Sequence, residues 1–149
     1  MGAGMRLSAK VEYAAIAVLE LARQWGADEP VRIRTISAAH GVPNQFLVQI
    51  LLQLKGSGIV TSTRGAAGGY QLARPPHEIT LEDVVRVIEG PDELTTAVTG
   101  DLAGRSRTAN VLLEAWREVA RAETDTLCRL TFSDLVERSR AATEPMYYI

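Results

Sequence analysis

A glycine-rich stretch lies between two short β-prone segments and restricts the folds open to this chain. Residues 61–75 read TSTRGAAGGYQLARP, with Arg64 next to the first glycine. The flanking segments IVTST and GYQLAR are rich in β-branched residues or alternate in polarity, which is typical of strands. The sequence therefore predicts a β-hairpin whose tip is lined with glycine and carries an arginine.

Three helical segments come before the hairpin. Apolar residues recur at the helical period over residues 7–25, and Ser8 is a candidate N-cap. The segments 33–40 and 42–58 predict two further helices, the first of them ended by Gly41. Three helices followed at once by a glycine-tipped hairpin outline a winged helix–turn–helix, so we expect a mainly α fold with a small β-hairpin.

Helical patterns also follow the hairpin. Thr80 and Asp83 form a pair that resembles a capping box at the start of a fourth helix. A long helix is predicted over about residues 109–130, with Leu112, Trp116, Val119, Ala120 and Leu127 on one apolar stripe. A short helix after it repeats the capping pair with Thr131 and Asp134.

Composition excludes several classes of protein. A single cysteine, Cys128, cannot build a disulfide framework and fits a reducing cytoplasm. No apolar stretch approaches the roughly 18 residues of a membrane span, and the first residues do not read as a signal peptide. We therefore expect a cytoplasmic protein with no membrane partner.

Charge is divided unevenly along the chain. Residues 1–79 hold eight Lys or Arg and five Asp or Glu, a net charge of +3. Residues 80–149 hold eight and thirteen, a net charge of −5. This asymmetry indicates that only the front half of the chain meets a polyanion.

The third predicted helix carries a polar stripe. Gln45, Gln49 and Gln53 recur every four residues on the side opposite an apolar arc. Glutamine offers a donor and an acceptor, the pair that reads the edge of adenine in the major groove. An ordinary solvated helix face would show the same stripe. Val48 and Leu52 flank it, and an apolar group that faces the groove could contact a thymine methyl.

The glycine-rich loop itself has two interpretations. Arg64 at a flexible tip can lie along a phosphate backbone or in the minor groove. A nucleotide-binding loop would need a Gly-x-x-x-x-Gly-Lys-Ser/Thr or Gly-x-Gly-x-x-Gly motif that opens a helix. This loop runs into a strand-like segment and has no lysine. The chain also has no nucleophile elbow, zinc spacing or acid–base constellation, so we expect no enzyme.

Four segments together resemble a known family. MRLSAKVEYAAIAVLELA, VPNQFLVQILLQLKGSGIV, RGAAGGYQLARP and ITLEDVVRVIEGP are similar, in order and spacing, to the Rrf-two family of bacterial transcription regulators. That family includes regulators of iron–sulfur cluster assembly, of the nitric-oxide response and of cysteine metabolism. The resemblance implies a winged helix–turn–helix DNA-binding domain at residues 5–91, followed at 92–149 by a linker, a dimerisation helix and a C-terminal helix.

The resemblance also implies how the protein acts on DNA. It implies a homodimeric repressor on a near-palindromic operator, with a recognition helix in each major groove and the wings over the adjacent minor grooves. A winged-helix protein-interaction module that has lost DNA binding is the alternative. The implied DNA contacts are base reading by Asn44, Gln45 and Gln49, wing contacts by Arg64 and Gly65 with support from Tyr70, and backbone contacts by Arg6, Ser8 and Lys55. The implied dimerisation residues on the long helix are Leu112, Trp116, Val119 and Leu127.

We expect this protein to sense a different input from the one that many relatives sense through an iron–sulfur cluster. Many family members hold an iron–sulfur cluster through three cysteines that precede the long helix, but residues 92–116 contain none. Glu12 lies where some relatives supply a carboxylate ligand, and one carboxylate cannot hold a cluster. We therefore expect no cofactor, and leave open an unknown small-molecule or protein effector. Cys128 has two interpretations, a packed small hydrophobe or a redox switch.

Overall fold

A computed structural model of the chain describes residues 8–90 and 104–142. In this part of the chain, six α-helices and one short 3-10 helix surround a two-stranded antiparallel sheet. The fold is mainly α with a small hairpin, as the sequence predicts. The elements are α1 Ala9–Arg23, α2 Ile33–His40, α3 Asn44–Gly56, β1 Val60–Thr63, β2 Gly69–Leu72, the 3-10 helix Pro76–Glu78, α4 Leu81–Glu89, α5 Arg107–Arg129 and α6 Phe132–Ala142.

The first three helices begin and end at local signals in the sequence. The Ser8 hydroxyl accepts a hydrogen bond from the Val11 N–H at 3.2 Å and caps α1, which confirms the predicted N-cap. Gly41 ends α2 in the left-handed region, with φ 67°, where glycine meets no steric penalty. Pro43 precedes α3 as its N-cap and supplies no side-chain hydrogen bond.

Both predicted capping pairs are present. In α4, the Thr80 N–H donates to the Asp83 carboxylate at 2.9 Å, and the Asp83 N–H donates to the Thr80 hydroxyl at 3.2 Å. Thr131 and Asp134 exchange the same two bonds at 3.2 and 3.1 Å. These pairs satisfy backbone N–H groups that have no partner inside their helices.

The core lies where α1 packs against α3, α4 and α6. Phe132 of α6 is fully buried in the same cluster as residues of α1 and α3, so the C-terminal helix shares the core of the first predicted domain. The predicted boundary at residue 91 lies outside the described residues. The largest fully buried side chains are those of Phe132, Leu21, Ile36, Leu47, Ile50, Leu51, Leu54, Ile59, Ile79, Val18, Val42 and Val60.

Two aromatic residues are exposed, although the period of apolar residues predicts that they are buried. Trp25 belongs to the apolar pattern of α1, but the helix ends at Arg23, and the tryptophan is 47% exposed. Phe46 belongs to the apolar arc of α3 and is 43% exposed, with its ring beside that of Tyr13 at a centroid distance of 6.0 Å. Helical period therefore overstates the length of α1 and the width of the buried face of α3.

The chain returns to the core after α5. The Leu81 N–H donates to the Leu130 carbonyl at 2.9 Å, and the Phe132 N–H donates to the Ile79 carbonyl at 2.9 Å. These bonds pair the start of α4 with the junction of α5 and α6. They fix the C-terminal end of the long helix to the body of the protein.

Candidate nucleic-acid interface

Helix α3 divides sharply into a buried and an exposed face. Its inward residues Leu47, Ile50, Leu51 and Leu54 are 0% exposed. The residues that point the other way are exposed along the whole length of the helix, and they include the predicted base-reading set. These exposed residues are Asn44, Gln45, Val48, Gln49, Leu52, Gln53 and Lys55.

Leu52 lies in the middle of this exposed face. At 100° per residue, Gln45, Gln49 and Leu52 project within a sector of about 60°, opposite the buried leucines. Val48 borders the sector. Leu52 is 57% exposed and Val48 is 42% exposed. The outer face of α3 is therefore a row of amide groups with two uncovered apolar side chains among them.

The hairpin forms as the sequence predicts. β1 and β2 pair antiparallel, with Thr63 opposite Gly69 at the end of the ladder. Residues 64–68 make the tip, where Arg64 is exposed and Gly65 adopts φ 106°, a conformation that L side chains rarely adopt. The tip thus presents a cation beside backbone that a ligand can approach closely.

The segment before α2 holds the hairpin from the other side. Val31 forms an isolated antiparallel bridge with Tyr70 of β2. The guanidinium of Arg32, the next residue, donates to the Ala66 carbonyl at the tip. Sequence reasoning missed Arg32; the signal it offered was an arginine between a β-prone valine and a helix start, in the pattern VRIR.

Arg32 and Arg64 border one concavity. It has a volume of about 530 Å³ and is also lined by Ser62, Thr63 and Tyr70. Two guanidinium groups, two hydroxyl groups and glycine backbone are groups that bind phosphate oxygens. These groups at the border of the concavity suit contact with an anion.

The remaining predicted DNA contacts occupy different places. Arg6 lies outside the described residues. Ser8 is engaged in the structure, since its hydroxyl caps α1 and also donates to Glu89. Lys55 is exposed in the last turn of α3. Tyr70 is half-buried and packs against the core from β2.

The predicted dimerisation residues separate into two groups. Leu112, Trp116 and Val119 are 46%, 39% and 48% exposed on α5. They recur at i, i+4 and i+7, so they form one stripe on the helix. Leu127 instead is 8% exposed and packs against Val11 in the same chain, so it belongs to the core of the subunit.

Cys128 does not pack as a small hydrophobe within the chain. It is exposed on α5. Cys128 follows the buried Leu127, and one step along a helix turns its side chain away from the face that Leu113 and Leu127 bury. Within residues 8–90 and 104–142, no group of three or more His, Cys, Asp or Glu side chains could hold a metal ion. None of the described helices is both long and apolar enough to cross a membrane.

Comparisons with known proteins agree on one family. Residues 7–138 match the Rrf2 (Rrf-two) family, described as an iron-dependent transcriptional regulator. A candidate HTH-type transcriptional regulator of Mycobacterium tuberculosis is 39% identical over 88% of this chain and 81% of that protein. The HTH-type transcriptional regulator CymR of Bacillus subtilis is 30% identical over 97% of this chain and 100% of its own length.

A solved structure gives the same result. The structure of T. potens IscR superposes with a TM-score of 0.79 at 30% identity, and the match covers 97% of this chain and 96% of that one. The likeness extends from the winged helix–turn–helix to the C-terminal helices. The chain therefore belongs to the Rrf2 family of transcriptional regulators, and with this DNA-binding fold it is a regulator and not an enzyme.

Proposed function

We propose that the protein is a sequence-specific repressor that binds a near-palindromic operator as a homodimer and carries no iron–sulfur cluster. The observation that carries this proposal is the outer face of α3. Gln45 and Gln49 are exposed there in one sector with Leu52. Glutamine can pair with adenine through the NH2 donor and the carbonyl acceptor of its one side-chain amide, and an apolar side chain can cover a thymine methyl.

The two exposed apolar residues of α3 support the proposal that this face of the helix contacts the major groove of DNA. A single exposed leucine is common on protein surfaces and needs no explanation. Val48 and Leu52, however, are two apolar side chains on the same face, and neither is stabilised by contact with water. Two such residues among the amides of one helix face are explained if a partner covers that face. The alternating methyl groups and polar edges of A·T-rich DNA match this mixture.

The hairpin supports the same proposal through its charge. Arg64 at the tip and Arg32 behind it border the concavity, which Ser62 and Thr63 also line. Backbone contacts of this kind set the position of a protein on DNA without reading its sequence. In the proposed complex the wing fixes the register and α3 reads the bases.

A binding experiment on the DNA upstream of the protein's own gene tests this proposal. Fluorescence anisotropy should show tighter binding to this duplex than to a scrambled duplex of the same composition. The double variant Gln45→Ala and Gln49→Ala should lose that preference and keep the weak binding to scrambled DNA. Gln53→Ala, on the same helix but at the edge of the sector, is the matched control. Equal, weak binding of the wild type to both duplexes would favour the protein-interaction module.

The homodimer is supported by the uncovered stripe on α5. Leu112, Trp116 and Val119 together leave large apolar side chains in water, which a second copy of the same helix would cover.

The absence of a cluster is proposed from the donor set. Thiolates hold iron–sulfur clusters, and this chain has one cysteine in 149 residues. That cysteine is Cys128, exposed on α5. The residues present therefore do not fit the iron–sulfur cluster that many members of the family hold. Protein purified without oxygen should be colourless, with no stoichiometric iron or sulfide; a visible charge-transfer band with matching iron would overturn this part of the proposal.

A further inference from the structure

A crevice of about 250 Å³ lies behind the wing. Its walls come from the last turn of α1, from the loop that leads to α2, and from strand β2. The floor is apolar, with Leu21 and Leu72, and both of these side chains are buried in the core. The rim is formed by Gln24, Trp25, Glu29, Tyr70 and Gln71. A volume below that of drug-sized pockets suits a ligand of about one ring.

The charge and the aromatic groups of the crevice select the class of ligand. Glu29 is the single charged residue among those that line it. Within residues 8–90 and 104–142, no hydrogen bond or ion pair engages the Glu29 carboxylate. Trp25 and Tyr70 also line the crevice, and Trp25 is 47% exposed. A carboxylate next to aromatic faces attracts a cation through both charge and ring quadrupole.

The position of the crevice connects it to the wing. Gln71 of β2 donates from its side-chain amide to the Ala27 carbonyl at 3.3 Å, and both residues line the crevice. Val31 and Tyr70, which line the crevice, also carry the backbone bonds between the α1–α2 loop and β2. A ligand in this crevice therefore contacts the residues that hold the hairpin in place.

We infer that this crevice binds a small organic cation, a primary amine attached to a single aromatic ring or to an aliphatic group of that size. The ammonium group lies against the Glu29 carboxylate and the ring of the ligand packs against Trp25. Binding of the cation is independent of the proposed function. An effect of the cation on DNA affinity, through the wall that β2 provides, rests on the proposed function.

The test uses 2-phenylethylamine as the probe and the emission of Trp25 as the signal. Wild-type protein should show a saturable change with a dissociation constant on the order of 1 mM, as expected for a ligand of this size. Trp25→Phe should abolish the change, because the second tryptophan, Trp116, lies on α5 outside the crevice. Two probes of similar shape are the controls: neutral 2-phenylethanol should bind at least about tenfold more weakly, and anionic 3-phenylpropionate should not bind.

Variants at two adjacent carboxylates locate the charge. Glu29→Gln should weaken binding of the amine about tenfold, to the level of the alcohol, and leave binding of the alcohol unchanged. Asp28→Asn removes the same charge one residue away, at a position that does not line the crevice, and should change amine binding by less than about twofold. Similar affinity for all three probes, equal effects of the two variants, or no saturable signal would each overturn the inference.

A second measurement separates this inference from the proposed function. Saturating 2-phenylethylamine should shift the affinity for upstream DNA in the wild type and have no effect in Glu29→Gln. Unchanged DNA affinity despite a fluorescence response would overturn the coupling to the wing and leave the crevice as a binding site. Failure to bind DNA at all would overturn the proposed function, while the fluorescence titration would still decide the crevice.

Discussion

The backbones of Val31 and Tyr70 exchange two hydrogen bonds, with the Val31 N–H donating at 2.8 Å and the Tyr70 N–H donating at 2.7 Å. Through this reciprocal pair, Val31 in the loop before α2 pairs with β2 on the edge that β1 does not occupy. The base of the wing is thus held on both edges, by β1 on one side and by Val31 on the other. Only the tip at residues 64–68 extends beyond this support.

Gly69→Ala should weaken the attachment of the wing. Gly69 adopts φ 154°, and a Cβ atom there would lie 2.5 Å from the Val31 carbonyl oxygen, a backbone atom that cannot move alone. We expect a loss of roughly 1–3 kcal/mol in the free energy of unfolding, measured with urea. Gly56→Ala is the control, since a Cβ there would meet no described atom within 4 Å and the residue is helical. A cost at Gly69 no larger than that at Gly56 would contradict the prediction.

Arg64→Ala should weaken binding to all DNA sequences alike. An arginine on a phosphate releases counterions, and a symmetric dimer presents two wings, so the slope of log affinity against log salt should fall in magnitude by about 2. Salt titrations against the upstream duplex and a scrambled duplex measure this slope. Arg140→Ala, which removes the same charge from α6, should leave the slope unchanged. An unaltered slope in Arg64→Ala would show that the hairpin is not a DNA wing.

Leu52→Ala should remove sensitivity to thymine methyl groups. Replacing thymine by uracil in the upstream duplex deletes the methyl and nothing else in the major groove. If Leu52 covers a methyl, uracil at that position should cost the wild type about 1 kcal/mol per half-site. The same replacement should cost Leu52→Ala nothing further. Additive losses for the two changes would mean that Leu52 and the methyl do not touch.

Trp116→Glu should convert the protein to a monomer at micromolar concentration, as measured by sedimentation equilibrium. The charge would lie in the middle of the apolar stripe of Leu112 and Val119, where burial against a second subunit would leave it without water. Val111→Glu is the matched control, because Val111 is 64% exposed on the same helix but about 100° away from the stripe. Wild-type protein that is itself monomeric at this concentration would end the dimer proposal.

Asp134→Asn should lower the stability of α6 and change its response to acid. The Thr131 backbone N–H, and after it the Thr131 side chain, hold the pKa of Asp134 below its ordinary value. A lowered folded-state pKa contributes stability above the ordinary value near 4, and that contribution is lost as the pH falls through the lowered pKa. Thermal unfolding between pH 7 and pH 2 should show a weaker acid dependence in the variant than in the wild type. Asp125→Asn, on the exposed side of α5, should follow the wild-type curve.

Local signals in the sequence determined the elements of this protein. The period of apolar residues located the helices, Ser8, Thr80 and Thr131 marked three helix starts, and the hairpin followed from β-branched segments around glycines. Each of these signals depends on residues three or four positions apart, or on the backbone preference of one residue. Such interactions form within the segment, so they can be read without knowledge of the rest of the chain.

The neighbour that each face contacts depends on the packing of separate elements. Periodicity placed Leu127 with Trp116 on one helix face, but the return of the chain at Leu130 buries the first and leaves the second exposed. Arg32 reaches Ala66, and Val31 pairs with Tyr70, across more than thirty intervening residues. A helical or strand period defines the direction of a side chain relative to its own element, whereas its partner depends on how separate elements pack. That packing minimises exposed apolar area over the whole chain, which no single segment encodes.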